Sequence, residues 1–113
     1  MRRTLKKVFE TWDWPETWGW DYPLVAMTAA RLGEPELAID ALMMKTPKNR
    51  YHPNGHNFQR TGLTAYLPGN GGLLSAVAMM AAGWDGAPVR HAPGFPVAGW
   101  NVREEGQIGR AHV

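Results

Sequence analysis

Apolar Leu5, Val8, Phe9 and Trp12 recur at i, i+3, i+4 and i+7, with Arg2, Arg3, Lys6, Lys7 and Glu10 on the other faces. That spacing predicts an amphipathic helix with one wet side. The stretch from Trp12 to Tyr22 is broken by Pro15 and Gly19 and is too aromatic for a helix interior, so it reads as an ordered loop. A second helix is expected from Asp21, taken as its N-cap, with Pro23 in the first turn and Gly33 as the stop after Leu32. From Leu24 to Leu32 its polar positions are Thr28 and Arg31, so most of its circumference should be buried. Glu34-Pro35 opens a third helix that ends near Met44, with Leu37, Ala38, Ala41 and Leu42 opposed by Glu36 and Asp40. So short a link makes the second and third helices antiparallel neighbours. Lys45 to Pro68 is polar and unpatterned, a loop long enough to expect a functional role. A fourth helix is placed after Gly69-Asn-Gly-Gly72, capped by Asn70, running to Ala82 and stopped by Gly83. It is apolar nearly all round. Trp84 to Val113 shows no periodicity.

The helices therefore alternate between amphipathic and enclosed. Helical hairpins set in two concentric rings would give that alternation, but four helices cannot close such a ring. The enclosed helices would leave large apolar faces uncovered, and faces of that kind normally have a partner. The expected architecture is all-α, two helical hairpins of an incomplete toroid with long ordered loops, and part of a longer protein.

Composition narrows the function classes. The 113 residues include 6 Trp, 13 Gly and 9 Pro, and 19% of them are charged. No Cys is present, which excludes a disulfide framework, a thiol nucleophile and a Cys-based zinc site. The net charge of +2 is accounted for by Arg2, Arg3, Lys6 and Lys7, whereas a nucleic-acid binder would carry a broader basic face. The basic N-terminus has no continuous apolar run behind it, so it is not a signal peptide. The longest apolar stretch, Leu73 to Ala82, is too short to span a bilayer. Neither nucleic acid nor membrane is an expected partner.

Candidate chemistry sits in the loops. Trp12, Trp14, Trp18, Trp20 and Tyr22 are either an apolar cap on a helical bundle or a stacking platform for pyranose rings. Asp13, Glu16 and Asp21 lie among them and could accept sugar hydroxyls or transfer protons, since desolvation beside indole favours the acid form. His56, Asn57 and Gln59 offer paired donors and acceptors suited to hydroxyls, or else tie a structural loop together. His52 and His56 have a helical metal-ligand spacing, but Pro53-Asn54-Gly55 between them argues against a helix and no metal site is assigned. Gly69 to Gly72 lacks the Lys-Ser/Thr of a phosphate loop and reads as a tight turn allowing close helix packing.

Trp18-Gly-Trp-Asp-Tyr-Pro23, Ala29-Ala-Arg-Leu-Gly33 and Tyr66-Leu-Pro-Gly-Asn-Gly-Gly72, followed by the apolar helix and Gly83-Trp-Asp-Gly86, resemble the C-terminal part of bacterial six-hairpin glycosidases. These are the (α/α)6-barrel glycoside hydrolases; the chain is distantly similar to the family 95 α-L-fucosidases and, further off, the family 65 enzymes. The resemblance spans residues 1–104. It implies a portion of a catalytic domain that hydrolyses glycosidic bonds of oligo- or polysaccharides, inverting and without a cofactor, in the periplasm or outside the cell. Its partners would be the carbohydrate substrate and the rest of the parent polypeptide, and the isolated piece would be inactive. On this reading Asp21 is the candidate for substrate contact or catalysis, and Trp18, Trp20, Glu16, His56, Asn57, Gln59 and Asn70 are the candidates for sugar binding. Pro68 stands where family 95 enzymes carry a base-side Asp. Gln107 to Val113 resembles translated read-through of a sequencing-library adapter, so residues 105–113 are expected to be a non-native tail on a truncated environmental sequence. The alternatives are a non-catalytic carbohydrate-binding module and a helical interaction module.

Overall fold

A computed structural model describes residues 1–103; the expected non-native tail lies outside them. The chain is mainly helical, with α1 (Arg2–Thr11), α2 (Asp21–Arg31), α3 (Pro35–Leu42) and α4 (Leu67–Ala82), and a two-stranded hairpin of β1 (Arg50–Tyr51) and β2 (Asn57–Phe58). The strands are antiparallel, with Arg50 opposite Phe58 and Tyr51 opposite Asn57. The mainly helical class stands, and this hairpin adds a small sheet within Lys45–Pro68, where an irregular loop was expected. Its turn is closed by the Gly55 N–H donating to the His52 carbonyl at 2.8 Å, with Gly55 at φ 91°. That positive φ is what glycine supplies without a Cβ clash.

Helix α2 carries the centre of the core. Tyr22, Val25, Ala26, Ala29 and Ala30 are buried on it, against Ala38 and Ala41 of α3 and Met80 and Ala81 of α4. Small side chains on the three helices let their backbones approach closely. The expected stop at Gly33 is realised as a Schellman end: the Gly33 N–H donates to Ala30 and the Glu34 N–H to Ala29, with Gly33 at φ 76°. Leu5 of α1 is buried, Val8 and Phe9 pack beside it, and Trp12 stays 40% exposed. Arg2 donates to the Leu32 carbonyl and pairs with Glu34 at 3.4 Å, tying α1 to the α2–α3 link.

Helix α4 begins earlier than the sequence pattern implied. Tyr66 is its N-cap and Pro68 sits in the first turn, where the missing N–H costs nothing. The glycine run is therefore inside the helix rather than ahead of it, and Asn70 is not the cap. The reason is packing. A Cβ on Gly69 would overlap the Asn57 side chain, and one on Gly72 would stand 2.7 Å from Pro23 Cγ of α2.

Beyond α4 the chain folds back irregularly. The Gly94 N–H donates to the Met80 carbonyl at 2.9 Å, Phe95 is buried, and the Arg90 guanidinium donates to the carbonyls of Ala92, Pro93 and Phe95. Ile39 and Leu42 of α3, Leu73 and Val77 of α4, and Trp100 line an apolar groove of about 380 Å³. On α4, Leu67, Leu74 and Val77 are exposed, as is Leu24 of α2. Among the described residues no helix is long and apolar enough to cross a membrane.

Candidate functional site

The aromatic segment divides into two populations. Trp14 is 9% exposed and Tyr22 fully buried; their ring centroids lie 5.3 Å apart, and Trp14 Nε1 donates to the Phe9 carbonyl. The Tyr22 hydroxyl donates to the Trp14 carbonyl at 2.9 Å and also contacts Thr46 and Thr17. These two rings are core. Trp18 and Trp20 face solvent at 44% and 47% exposure.

A buried polar lock holds the exposed pair in place. Asn57 and Gln59, on and just after β2, are almost fully buried. Gln59 Oε1 accepts the Gly19 N–H at 2.8 Å, and Gln59 Nε2 donates to the Lys48 carbonyl and to Asn57 Oδ1. Asn57 Nδ2 donates to the carbonyls of Lys48 and Arg50. Asn70 clamps the same hairpin, accepting the Asn57 N–H at 3.0 Å and donating to the Gly55 carbonyl. The polar atoms of these three amides are engaged inside the protein. Their part is to fix the Trp18-Gly19-Trp20 turn against the hairpin, because an unmade buried hydrogen bond would cost more than a made one gains.

Above the lock, four side chains meet. Trp18 stacks on Tyr66 with centroids 5.6 Å apart and planes 29° apart, and Lys48 Nζ lies 4.9 Å from the Trp18 ring centroid. Asp21 Oδ2 accepts the Trp18 N–H at 2.8 Å. Asp21 is thus the first residue of α2 and braces the turn in front of it, while Trp20 takes the N-cap position. The phenol of Tyr66 is raised above its ordinary pKa of 10.0, first by desolvation and then by the negative charge of Asp21. Tyr51, raised by burial, directs its hydroxyl towards the Gly69 carbonyl at 3.4 Å. Trp20, 47% exposed, makes no ring contact or side-chain hydrogen bond among the described residues.

The structure therefore brings Trp18 and Asp21 together, carries the exposed Trp20 on the same turn, and puts Asn57, Gln59 and Asn70 beneath and beside that turn. Glu16 is exposed on the 3₁₀ turn Trp14–Glu16, and His56 is exposed at the hairpin end, where its N–H donates to Asn54 Oδ1. Tyr66 and Lys48 were not singled out from the sequence. Tyr66 is positioned by its N–H donating to the Asn57 carbonyl of β2 at 2.8 Å. Among the described residues no group of three or more His, Asp or Glu is placed to hold a metal.

The chemistry available is stacking on indole, hydrogen bonding to one carboxylate and one ammonium, and donation from Trp20 Nε1. Glycoside hydrolysis normally requires two carboxyl groups flanking the scissile bond; this surface presents Asp21. Compared with known proteins, the chain matches no family model, no curated sequence and no solved structure.

Proposed function

We propose that this chain binds carbohydrate through the Trp18–Trp20–Asp21–Tyr66 surface, as a sugar-binding portion of a glycoside hydrolase. The observation that carries the reading is Trp20: a large ring, 47% exposed, next to a carboxylate and held on a turn that a buried amide lock makes rigid. Such a ring offers the apolar face of a pyranose a flat partner, while Asp21 accepts hydroxyl protons. In this reading Asp21 orients substrate, and the acid and base of hydrolysis come from elsewhere in the parent enzyme. The (α/α)6 toroid belongs to the same proposal. It is supported by the uncovered apolar side chains of α2 and α4, which further helical hairpins would bury.

The test is a titration of the chain with neutral and acidic oligosaccharides, followed by NMR of the indole N–H signals. The Trp20 signal should shift, and Trp20→Ala should weaken binding by about 1 kcal/mol or more. Trp100→Ala, remote in sequence and similarly exposed at 45%, serves as the control. No shift with any glycan, or equal loss in both variants, would sink the reading. The exposed α4 side chains Leu67, Leu74 and Val77 favour a second reading, a helical interaction module, which predicts self-association indifferent to glycan.

A further inference from the structure

Acid and base are segregated between the two chain segments that meet at Trp18. Between Asp40 and Asp85 the sequence has no carboxylate, yet Lys45, Lys48, Arg50 and Arg60 fall in that interval. The Trp12–Tyr22 loop is the reverse, with Asp13, Glu16 and Asp21 and no basic side chain. The two segments pack together through Lys48 on Trp18 and Gln59 on Gly19. Were their charges complementary for the sake of folding, ion pairs would cross the contact. None does among the described residues, where the ion pair formed is Arg2 with Glu34. Instead Lys48 Nζ rests 4.9 Å from the Trp18 ring centroid, and Arg50 Cζ lies 4.7 Å from that of Phe58. A cation lying on a ring keeps N–H donors for an incoming anion, and the ring contact limits the entropy lost on binding it.

We infer that the ligand of this surface is an acidic glycan, one built with uronic acid residues. The inference rests on the carbohydrate reading above and names its substrate class. A uronate carboxylate pairs with Lys48, a pyranose face lies on Trp20, and ring hydroxyls donate to Asp21. The Asp21 carboxylate is what separates this ligand from single-stranded nucleic acid. Its Oδ2 already accepts the Trp18 N–H, and its remaining lone pairs suit hydroxyl donors beside the bound anion, which a uronate ring carries and a DNA backbone does not.

The experiment compares polygalacturonate, alginate and hyaluronate with their carboxyl-reduced counterparts, and with an oligothymidylate, by calorimetric titration of the 113-residue chain. At least one acid form should bind about fivefold more tightly than its reduced partner, and added salt should shrink that difference. Lys48→Gln should abolish most of the preference, weakening the acid form several-fold more than its reduced partner. The Lys48 carbonyl, not its ammonium, anchors Asn57 and Gln59, so the variant should stay folded and lose no more stability than the ring contact supplies. Equal or tighter binding of every reduced glycan overturns the acidic preference and leaves carbohydrate binding standing. Binding of neither form overturns both. Tighter binding of the oligothymidylate overturns the inference in favour of nucleic acid.

Discussion

Tyr66 shows how a single group reports on its surroundings. Its phenolate is disfavoured because water is partly excluded and because Asp21 is negative. The folded pKa lies above the unfolded one, so folding stability is unaffected below pH 10 and falls as the pH rises beyond it, where the unfolded chain loses the proton first. Asp21→Asn should lower the Tyr66 pKa while leaving it above 10.0, since desolvation is the larger cause. Ultraviolet titration of the phenolate, with Tyr66→Phe subtracted to remove the other tyrosines, measures this. An unchanged pKa would mean that Asp21 is not electrically coupled to the stacked pair, and the polar edge assigned to the surface would be lost.

At the scale of elements, glycines in one helix have opposite roles. Gly69 of α4 faces Asn57 with no room for a Cβ, whereas Gly71 has nothing within 4 Å. Gly69→Ala should destabilise by about 2 kcal/mol, because the clash displaces a fully hydrogen-bonded amide. Gly71→Ala should stabilise by about 0.5–1 kcal/mol, the ordinary preference of a helix interior. Urea denaturation of the two variants gives both signs. The same contrast explains what could be read in advance. Helices α2 and α3 were legible because their punctuation is local: Pro23 and Pro35 in the first turns and Gly33 past the end of α2. The start of α4 was not, since four residues rich in glycine look like a turn unless the helices they pack against are known. The hairpin did carry a signal, Asn54-Gly55 between Tyr51 and Phe58, which is a strong turn dipeptide. At the site, Trp18, Trp20 and Asp21 were readable as exposed chemistry. Composition could not separate them from Trp14, nor show that Asn57 and Gln59 turn inward, because burial there is decided by a partner such as Gly19, 40 residues from Gln59.

At the scale of the whole molecule, α4 is the unbalanced element. It has no ionisable side chain in its 16 residues, and Leu67 and Leu74 are about two-thirds exposed or more. The purified chain should self-associate through this side. Leu74→Glu should shift it towards monomer in sedimentation velocity, with a change in folding stability within about 0.5 kcal/mol. A wild-type chain that stays monomeric at high concentration would remove the support this helix gives to the toroid. The amide lock has a consequence of another kind, for inheritance. Asn57 fills the space left open by Gly19 on one side and Gly69 on the other, so three positions scattered along the chain behave as one unit of variation. A lineage that gained a side chain at Gly69 would survive only with a smaller residue already at position 57, and one that gained it at Gly19 would need Gln59 to give way as well. Descendants of this sequence should therefore keep all three together or replace them in step, and an aligned set of such descendants would reveal the contact without any structure.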